Sequence, residues 1–332
     1  MRRVPLLALA ATSFAPLPLA ADPPPPKLVF PLACVIGRTC EVQTYVDHDP
    51  GPGARDYRCG SETNDQHSGT DIRLLDMAAQ RAGVDVLAAA AGRVSRLRDG
   101  VPDISVKAAG AASVANQECG NGVVIDHGDG WETQYCHLAK GSIRVKIGDQ
   151  VGPGQPIARV GLSGNTEYPH MHLTVRHGSA TVDPFAPSAA PGACDPAARP
   201  DRGLWGPDAA AAMSYKPGLV LNAGFAGAAV TPEAVEDRSI VPAGANAQAL
   251  VAYVRAINLQ AGDVRALVLR DGSGAVVAQS TLPALETPKA QMMMFVGAKR
   301  PAGGWKPGVY VATFTVTRNG GVVIAKTLQM RL

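Results

Sequence analysis

Short apolar runs, separated by glycine, proline and aspartate, dominate the pattern along the chain. One run, 74–82, has helical spacing and is followed by Gly83, which predicts a short helix that ends there. The other runs are rich in β-branched residues and bounded by turn residues, so they predict β-strands. In the first half of the chain the predicted strands are 84–90, 93–97, 123–126, 132–138, 143–145, 157–160 and 170–176.

Two of these strands form the clearest hairpin signal. They flank the sequence His127-Gly128-Asp129-Gly130, which is typical of a tight β-turn. Ahead of the hairpin lies a polar segment rich in glycine and alanine, 99–118, which we interpret as a long inserted loop. The first half of the chain is therefore predicted to be a mostly antiparallel β domain with several hairpins.

The second half of the chain carries a different pattern. Its predicted strands are 250–258, 264–269, 274–280 and 309–317, with turns at Asp271-Gly272 and after Asn319. Short strands at this spacing predict a β-sandwich of immunoglobulin-like type. This half contains neither histidine nor cysteine, so no catalytic constellation is expected in it. The lack of an aromatic stripe or a charge patch favours a spacer over a sandwich that binds the cell wall or a protein partner.

The predicted fold class is therefore all-β, with an antiparallel β domain followed by a C-terminal immunoglobulin-like β-sandwich. A length of 332 residues is enough for two such domains. We place the first domain at 28–185, an Ala/Pro-rich linker at 186–205 and the second domain at 206–332.

The start of the chain has the pattern of an export signal. Arg2 and Arg3 precede a short apolar stretch, and small residues follow at Ala20 and Ala21, so we expect a signal peptide at 1–21 and a proline-rich spacer at 22–27. No segment approaches the roughly 20 apolar residues that a membrane-spanning helix needs. We therefore expect an exported protein of the periplasm, the cell envelope or the extracellular space.

Charge and cysteine content narrow the chemistry further. The net charge is only +3 and no dense Lys/Arg tract occurs, which argues against nucleic acid and anionic membranes as partners. Six cysteines in an oxidising compartment suggest three disulfides. We expect Cys34 with Cys40 across a small loop, Cys119 with Cys136 across the hairpin, and Cys59 with Cys194 by elimination.

The candidate chemistry lies in three histidine motifs: HSGTD, from His67 to Asp71; YCHL, which contains His137; and PHMHL, which contains His170 and His172. Side chains alternate along a strand, so His170 and His172 should share one face while Met171, Leu173 and Val175 face the core. The motifs together supply two imidazole nitrogens and one carboxylate oxygen, a three-ligand set that leaves a fourth zinc position open for water.

The segment 60–185 resembles the lysostaphin/LytM-type family of zinc peptidoglycan endopeptidases. The resemblance rests on HSGTD, YCHL, GDQVGPGQPIARVGLSGNT, PHMHLTV and VDPF, which follow one another in the family's order. It implies that His67, Asp71 and His172 bind Zn²⁺. It also implies that His137 and His170 are the catalytic pair, sharing the tasks of general base and oxyanion stabilisation.

Two segments depart from that family. The inserted loop 99–118 lengthens the distance between HSGTD and the catalytic hairpin, and 165–169 reads NTEYP where many relatives carry a Ser-Thr-Gly run. Both are expected to border the substrate groove, so they bear on substrate preference.

The sequence thus predicts a zinc-dependent endopeptidase that hydrolyses peptide bonds in bacterial peptidoglycan with metal-activated water. The alternative is a non-catalytic module that binds the wall or activates other hydrolases, although degenerate members lose metal ligands and none is lost here. A lipoyl-type carrier domain, suggested by 145–160, lacks the lysine that it would need at a hairpin tip. His48, His127 and His177 are interpreted as exposed turn residues.

Overall fold

Residues 24–332 are described by a computed structural model; the predicted signal peptide, 1–21, and the first two residues of the spacer lie outside them. Every ladder between named strands is antiparallel. Helices are few and short, and within the described residues none has the length and apolarity to cross a bilayer. The predicted all-β fold class is confirmed.

An eight-stranded sheet, in the order β1-β2-β9-β6-β5-β4-β7 with β10 beside β9, forms the first domain together with the small pair β3-β8. Its strands are β1 (Cys40–Thr44), β2 (Thr70–Leu74), β3 (Asp85–Leu87), β4 (Gly92–Arg98), β5 (Asn121–Gly128), β6 (Trp131–Leu138), β7 (Gln150–Val151), β8 (Pro156–Arg159), β9 (His170–His177) and β10 (Ala180–Val182). Its helices are α1 (Met77–Ala82), α2 (Val106–Ala109) and α3 (Pro207–Ala212), and 3₁₀ turns lie at Ala111–Val114 and Pro200–Arg202.

The two faces of strand β9 separate the core from the polar surface. Met171, Leu173 and Val175 are almost completely buried in the hydrophobic core, as the alternation predicted. His170 and His172 therefore lie on the opposite face of the sheet. The apolar alternation of one strand thus fixes which face of the domain can carry chemistry.

Three disulfides reinforce this domain: Cys34–Cys40, Cys59–Cys194 and Cys119–Cys136. All three expected pairings are confirmed. The Cys59–Cys194 bridge ties the segment predicted as a linker to the first domain, and Trp205 and Met213 beyond it are buried in the same core. We therefore propose that the domain boundary lies between Met213 and β11, further along the chain than predicted.

The second domain is a sandwich of two sheets, β11-β12-β15 and β14-β13-β16-β17. Its elements are β11 (Leu219–Ala226), α4 (Pro232–Asp237), β12 (Ala249–Leu259), β13 (Val264–Arg270), β14 (Val276–Leu282), β15 (Lys289–Lys299), β16 (Val309–Arg318) and β17 (Gly321–Arg331). Leu250, Val254, Leu267 and Phe314 contribute to its core from strands of both sheets. Buried and partly exposed side chains alternate along β13 and β16, so one face of each strand closes that core.

Two local predictions are wrong. Residues 143–145 form no strand, and the inserted segment 99–118 contains α2 and a 3₁₀ turn instead of a bare loop. The insertion is also well anchored. The Asp103 carboxylate accepts hydrogen bonds from the backbone N–H groups of Leu162 (2.7 Å) and Lys140 (2.8 Å), and these bonds fix the insertion against the segment before β9 and the turn after β6.

The domains meet through a polar cluster around Arg73, a residue of β2 with no solvent exposure. Its guanidinium donates to the Gln43 side chain (2.9 Å) within the first domain. It also donates to two acceptors of the second domain, the Gln291 amide oxygen (2.7 Å) and the Glu236 carboxylate (2.8 Å). Glu236 also pairs with Arg255, so one carboxylate of α4 is shared by two buried guanidiniums.

Candidate metal centre

His67, Asp71 and His172, which lie far apart in the sequence, converge at one point of the sheet. One ligand atom from each lies within 4.8 Å of the others. His67 Nε2 is 3.1 Å from Asp71 Oδ2, and His172 Nδ1 is 2.8 Å from Asp71 Oδ1. The three residues that the resemblance implied as zinc ligands therefore meet.

The strand register explains why they meet. Asp71 in β2 is the direct partner of His172 in β9, while His67 lies in the loop that enters β2. That loop passes very close to β9 at Gly69, where an added Cβ would lie 2.5 Å from both the His172 ring and the Leu173 carbonyl oxygen. Glycine is therefore required at the centre of HSGTD by the close approach of the two segments.

The remaining ring nitrogens of the two histidines have partners that orient the rings. His67 Nδ1 lies 2.7 Å from the Tyr45 carbonyl oxygen, and His172 Nε2 lies 3.0 Å from the Thr174 hydroxyl. The carbonyl only accepts, so it fixes a proton on His67 Nδ1, whereas the Thr174 hydroxyl orients the His172 ring without fixing its tautomer. Two imidazole nitrogens and a carboxylate oxygen, each oriented in this way, fit a catalytic zinc site.

The ionisation of these groups is strongly coupled. Burial alone would lower the pKa of His67, but the adjacent Asp71 carboxylate outweighs it and raises that pKa to about 9. Burial would raise the pKa of Asp71, yet His67 and His170 hold it well below its usual range. The cluster therefore retains a carboxylate surrounded by imidazoles.

His137 and His170 form a second pair beside this cluster. Their ring centroids are 4.6 Å apart, and His170 Nε2 is 3.6 Å from Asp71 Oδ1. His137 Nδ1 bonds the Ser163 carbonyl oxygen (2.8 Å) and His170 Nδ1 the Tyr168 carbonyl oxygen (3.0 Å). Each Nδ1 therefore donates to the backbone, which leaves each Nε2 as a proton acceptor.

Burial governs the charge of both rings. It lowers the pKa of His170, and it lowers the pKa of His137 well below the ordinary value with a further contribution from the neighbouring His170. Both imidazoles are consequently neutral near pH 7, the state in which they can act as general bases.

The backbone at His137 is unusual. Its φ of +61° lies in the left-handed region, which residues other than glycine and asparagine rarely adopt. The backbone N–H of His137 donates to the Cys119 carbonyl oxygen (2.8 Å), and the Cys119–Cys136 disulfide holds the same two segments together. The disulfide across the hairpin thus supports the conformation that presents the His137 ring.

All five side chains line one cleft of about 510 Å³. The cleft is also lined by Glu118, at the end of the insertion 99–118, and by Glu167 and Tyr168 of the segment 165–169. Both segments that differ from the family pattern therefore border the groove, as expected. The cleft is also lined by three residues that the sequence motifs do not mark, Gln134, Thr174 and Arg176. A signal was present for two of them, since Thr174 and Arg176 continue the alternation of His170 and His172.

The other three histidines lie outside the cleft. His127 bonds the Ala91 carbonyl oxygen and the Thr133 hydroxyl, and His177 is exposed and stacks on Trp131. His48 differs from the expectation of an exposed turn residue, because its largely buried ring bonds the Asp183 carboxylate at 2.9 Å. The bond joins the loop before β2 to the segment after β10.

Residues 65–184 match the sequence model of peptidase family M23. The segment contains all five histidine and aspartate residues of the cleft. The resemblance to the lysostaphin/LytM-type peptidases is thereby confirmed over this part of the chain.

Individual relatives match over shorter stretches. The cell division protein DipM of Caulobacter vibrioides is 34% identical over 94 residues, which are 28% of this chain and 15% of DipM. The peptidoglycan DD-endopeptidase ShyA of Vibrio cholerae is 52% identical over 56 residues, 16% of this chain and 12% of ShyA. The chain thus spans less than a fifth of the length of these curated relatives.

Solved structures that match part of this chain include a zinc-containing peptidase from Vibrio cholerae, at 25% identity and a TM-score of 0.31 over 46% of this chain and 37% of that one. The catalytic domain of lysostaphin from Staphylococcus simulans is 22% identical, with a TM-score of 0.28 over 42% of this chain and 85% of that one.

Proposed function

We propose that the M23 domain of this chain is a zinc-dependent endopeptidase that hydrolyses peptide bonds in bacterial peptidoglycan. The observation that carries the proposal is the convergence of five side chains in one cleft. Three of them present an N/N/O donor set, and the other two present neutral imidazoles beside it. Loss of one donor would remove the metal site, so a complete set favours an enzyme over a non-catalytic wall-binding or hydrolase-activating module.

His67, Asp71 and His172 would hold the ion through His67 Nε2, an Asp71 oxygen and His172 Nδ1. When bound there, zinc supplies a Lewis acid that polarises the scissile carbonyl and activates water. The Tyr45 carbonyl and the Thr174 hydroxyl keep the two imidazoles pointed at that position. The geometry therefore requires little rearrangement of the side chains on metal binding.

His137 and His170 would carry the proton transfers. Each ring is fixed by a bond from Nδ1 to a backbone carbonyl and offers Nε2 to the cleft. A neutral imidazole there can take the proton of the attacking water and, once charged, donate it to the leaving amine or stabilise the developing oxyanion. We assign these tasks to the pair jointly.

Export is part of the proposal. Three disulfides need an oxidising compartment to form and persist, and peptidoglycan lies outside the cytoplasm. The signal-like sequence at 1–21 is consistent with the periplasm, the cell envelope or the extracellular space.

Digestion of purified peptidoglycan, with products identified by mass spectrometry, tests the activity. Wild-type protein should release new amino termini, lose this activity with a chelator and regain it with zinc. His170→Ala should lower kcat by roughly 10²- to 10⁴-fold, whereas His177→Ala, an exposed histidine on the same strand, should not. Wall binding without any hydrolysis by the zinc-loaded wild type would instead support the non-catalytic module.

A further inference from the structure

The cleft of the metal centre continues into a second cavity of about 580 Å³ on the same face of the sheet. Cys119, Gln134 and Arg176 line both cavities, so the two form one continuous groove. The groove runs across strands β9, β6, β5 and β4, which are neighbours in the sheet.

The register of the strands gives the length of this groove. His172 in β9 pairs with Cys136 in β6, and Gly122 in β5 pairs with Arg98 in β4. Three strand spacings separate β9 from β4, a distance of about 14 Å, which about four residues of extended peptide would span. A peptide whose scissile bond lies at the metal centre therefore reaches β4 within a few residues.

Gly122 lines the groove directly beside Cys119 Sγ. A Cβ added there would lie 2.8 Å from Cys119 Sγ and 2.9 Å from the Tyr135 carbonyl oxygen, too close for either to remain in place. Cys119 Sγ therefore occupies the space that a side chain at this position would need, and the close approach of the disulfide requires glycine there.

The far end of the groove is basic. Arg96 and Arg98 of β4 line it, Arg176 of β9 lies where it joins the metal cleft, and Glu132 is the one acidic residue that accompanies them. Glu132 pairs with Arg96 at 2.7 Å. In the described part of the chain, Arg98 and Arg176 make no ion pair with a carboxylate.

Both guanidiniums are nevertheless held in position. Arg98 Nε donates to the Gly120 carbonyl oxygen (2.6 Å), and Arg176 Nη1 donates to the Gln134 side-chain oxygen (2.7 Å). The remaining N–H groups of each fork are available to a ligand. A guanidinium that is anchored at one edge binds a carboxylate in a defined, bidentate geometry.

The metal end of the groove is lined by Asp65, Asp71, Glu118 and Glu167, and of these Glu167 pairs with Lys107 at 2.7 Å. Arg98 and Arg176, which have no such carboxylate partner among the described residues, would attract a free carboxylate of the substrate.

We propose that Arg98 of β4 and Arg176 of β9, which both line the second cavity, form a subsite that binds a free carboxylate of the substrate peptide within about four residues of the bond that is cleaved. The inference rests on the proposed function and specifies its substrate as an acidic peptide. It makes the two arginines specificity-determining residues.

Binding can be measured separately from hydrolysis. The probes are peptide stems released from peptidoglycan, labelled with a neutral dye, with their carboxyl groups either free or converted to amides. They are titrated by fluorescence anisotropy against the zinc-loaded full chain carrying His170→Ala, so that they are not consumed. The acid form should bind roughly tenfold more tightly than the amide form.

Arg98→Gln and Arg176→Gln, each added to that chain, should remove most of this preference, whereas Arg98→Lys should keep part of it because the charge remains. Arg144→Gln is the matched control, since Arg144 is an arginine that pairs with Asp85 outside the groove. It should leave the preference unchanged. Circular dichroism of each variant reports folding.

Equal affinity for the acid and amide probes, or a preference that survives in Arg98→Gln and Arg176→Gln, would overturn the carboxylate subsite. Digestion assays with the wild type separate this result from the proposed function. Hydrolysis without a carboxylate preference refutes the subsite alone, and a carboxylate preference without hydrolysis refutes the enzyme while the subsite stands.

Discussion

The guanidinium of Arg73 lies 4.0 Å from the centre of the Tyr168 ring. Arg73 follows Asp71 by two residues in β2, and the Tyr168 carbonyl oxygen holds the ring of His170. The pair therefore connects the strand of the candidate metal centre to the segment that orients His170, a member of the proposed catalytic pair. The second domain reaches the same guanidinium through Glu236, which links it to the geometry of the site.

Replacement of Glu236 should destabilise the chain strongly. Glu236→Ala leaves the buried guanidiniums of Arg73 and Arg255 without their shared carboxylate, which should cost about 3 kcal/mol of the free energy of unfolding. Chemical denaturation measures the change. Glu233→Ala, in an exposed position of the same helix, should change the stability by less than about 0.5 kcal/mol. Similar losses in the two variants would show that the shared carboxylate contributes little.

Metal binding should be stoichiometric and stabilising. The wild type should bind one equivalent of zinc, and free zinc at about 100 times the Kd should raise the free energy of unfolding by about 2.7 kcal/mol. Asp71→Ala should abolish both effects, because it removes the carboxylate between the two imidazoles. Asp65→Ala, an exposed acid that lines the same cleft, should preserve them. Elemental analysis and thermal unfolding provide the two measurements, and retention of zinc by Asp71→Ala would contradict the assigned ligands.

Removal of the Cys119–Cys136 disulfide should impair activity as well as stability. The bridge closes a loop with a sequence separation of 17, for which the loss is about 3 kcal/mol. Because it supports the left-handed conformation of His137, the double Ser variant should also lose kcat at temperatures where it remains folded. The double Ser variant of Cys34 and Cys40, a bridge whose residues lie outside the cleft, should lose stability but keep kcat. Equal kcat in both variants would argue against a role of the Cys119–Cys136 disulfide in holding the conformation of His137.

A buried carboxyl group away from the metal centre should make stability depend on pH. Burial raises the pKa of Glu62 from its ordinary value of 4.5 to about 9, and Asp56 adds to the effect. Between these values the folded chain holds a proton that the unfolded chain has lost. The free energy of unfolding should therefore fall as pH rises from about 5 to 9, by about 1.4 kcal/mol per pH unit from this group.

Glu62→Gln should remove that contribution, so the variant should gain stability relative to the wild type as the pH increases. Urea denaturation at several pH values measures the difference. The exposed Glu286→Gln serves as the control and should follow the wild type. A constant difference between Glu62→Gln and wild type across this pH range would refute the raised pKa.

The sequence predicted the parts of the fold that depend on local patterns. Alternation in PHMHLTV gave the two faces of β9, and β-branched runs gave β12, β13 and β16. Strand β15 was missed because its centre, MMMF, has no β-branched residue, although strand pairing on one side stabilises it. Helix α4 carried a readable start signal in Thr231 and Pro232, but it is only six residues long.

The surroundings of the metal centre were less predictable than its ligands. The histidine motifs carry a recognisable spacing, whereas Arg73 is a single arginine in the strand TDIRL with nothing nearby to indicate burial. Its partners Glu236 and Gln291 lie more than 160 residues away in the sequence. Long-range pairing of this kind depends on how two domains pack, and no local pattern records it.

The contact between Glu236 and Arg73 has an evolutionary consequence. A sandwich exchanged with that of another protein would bring a foreign surface against Arg73, unless a carboxylate and an amide came with it at matching positions. Recombination of the domains would then disturb the segment that orients His170. The two halves of this chain should therefore have been inherited together, with Arg73, Glu236 and Gln291 changing in concert among descendants.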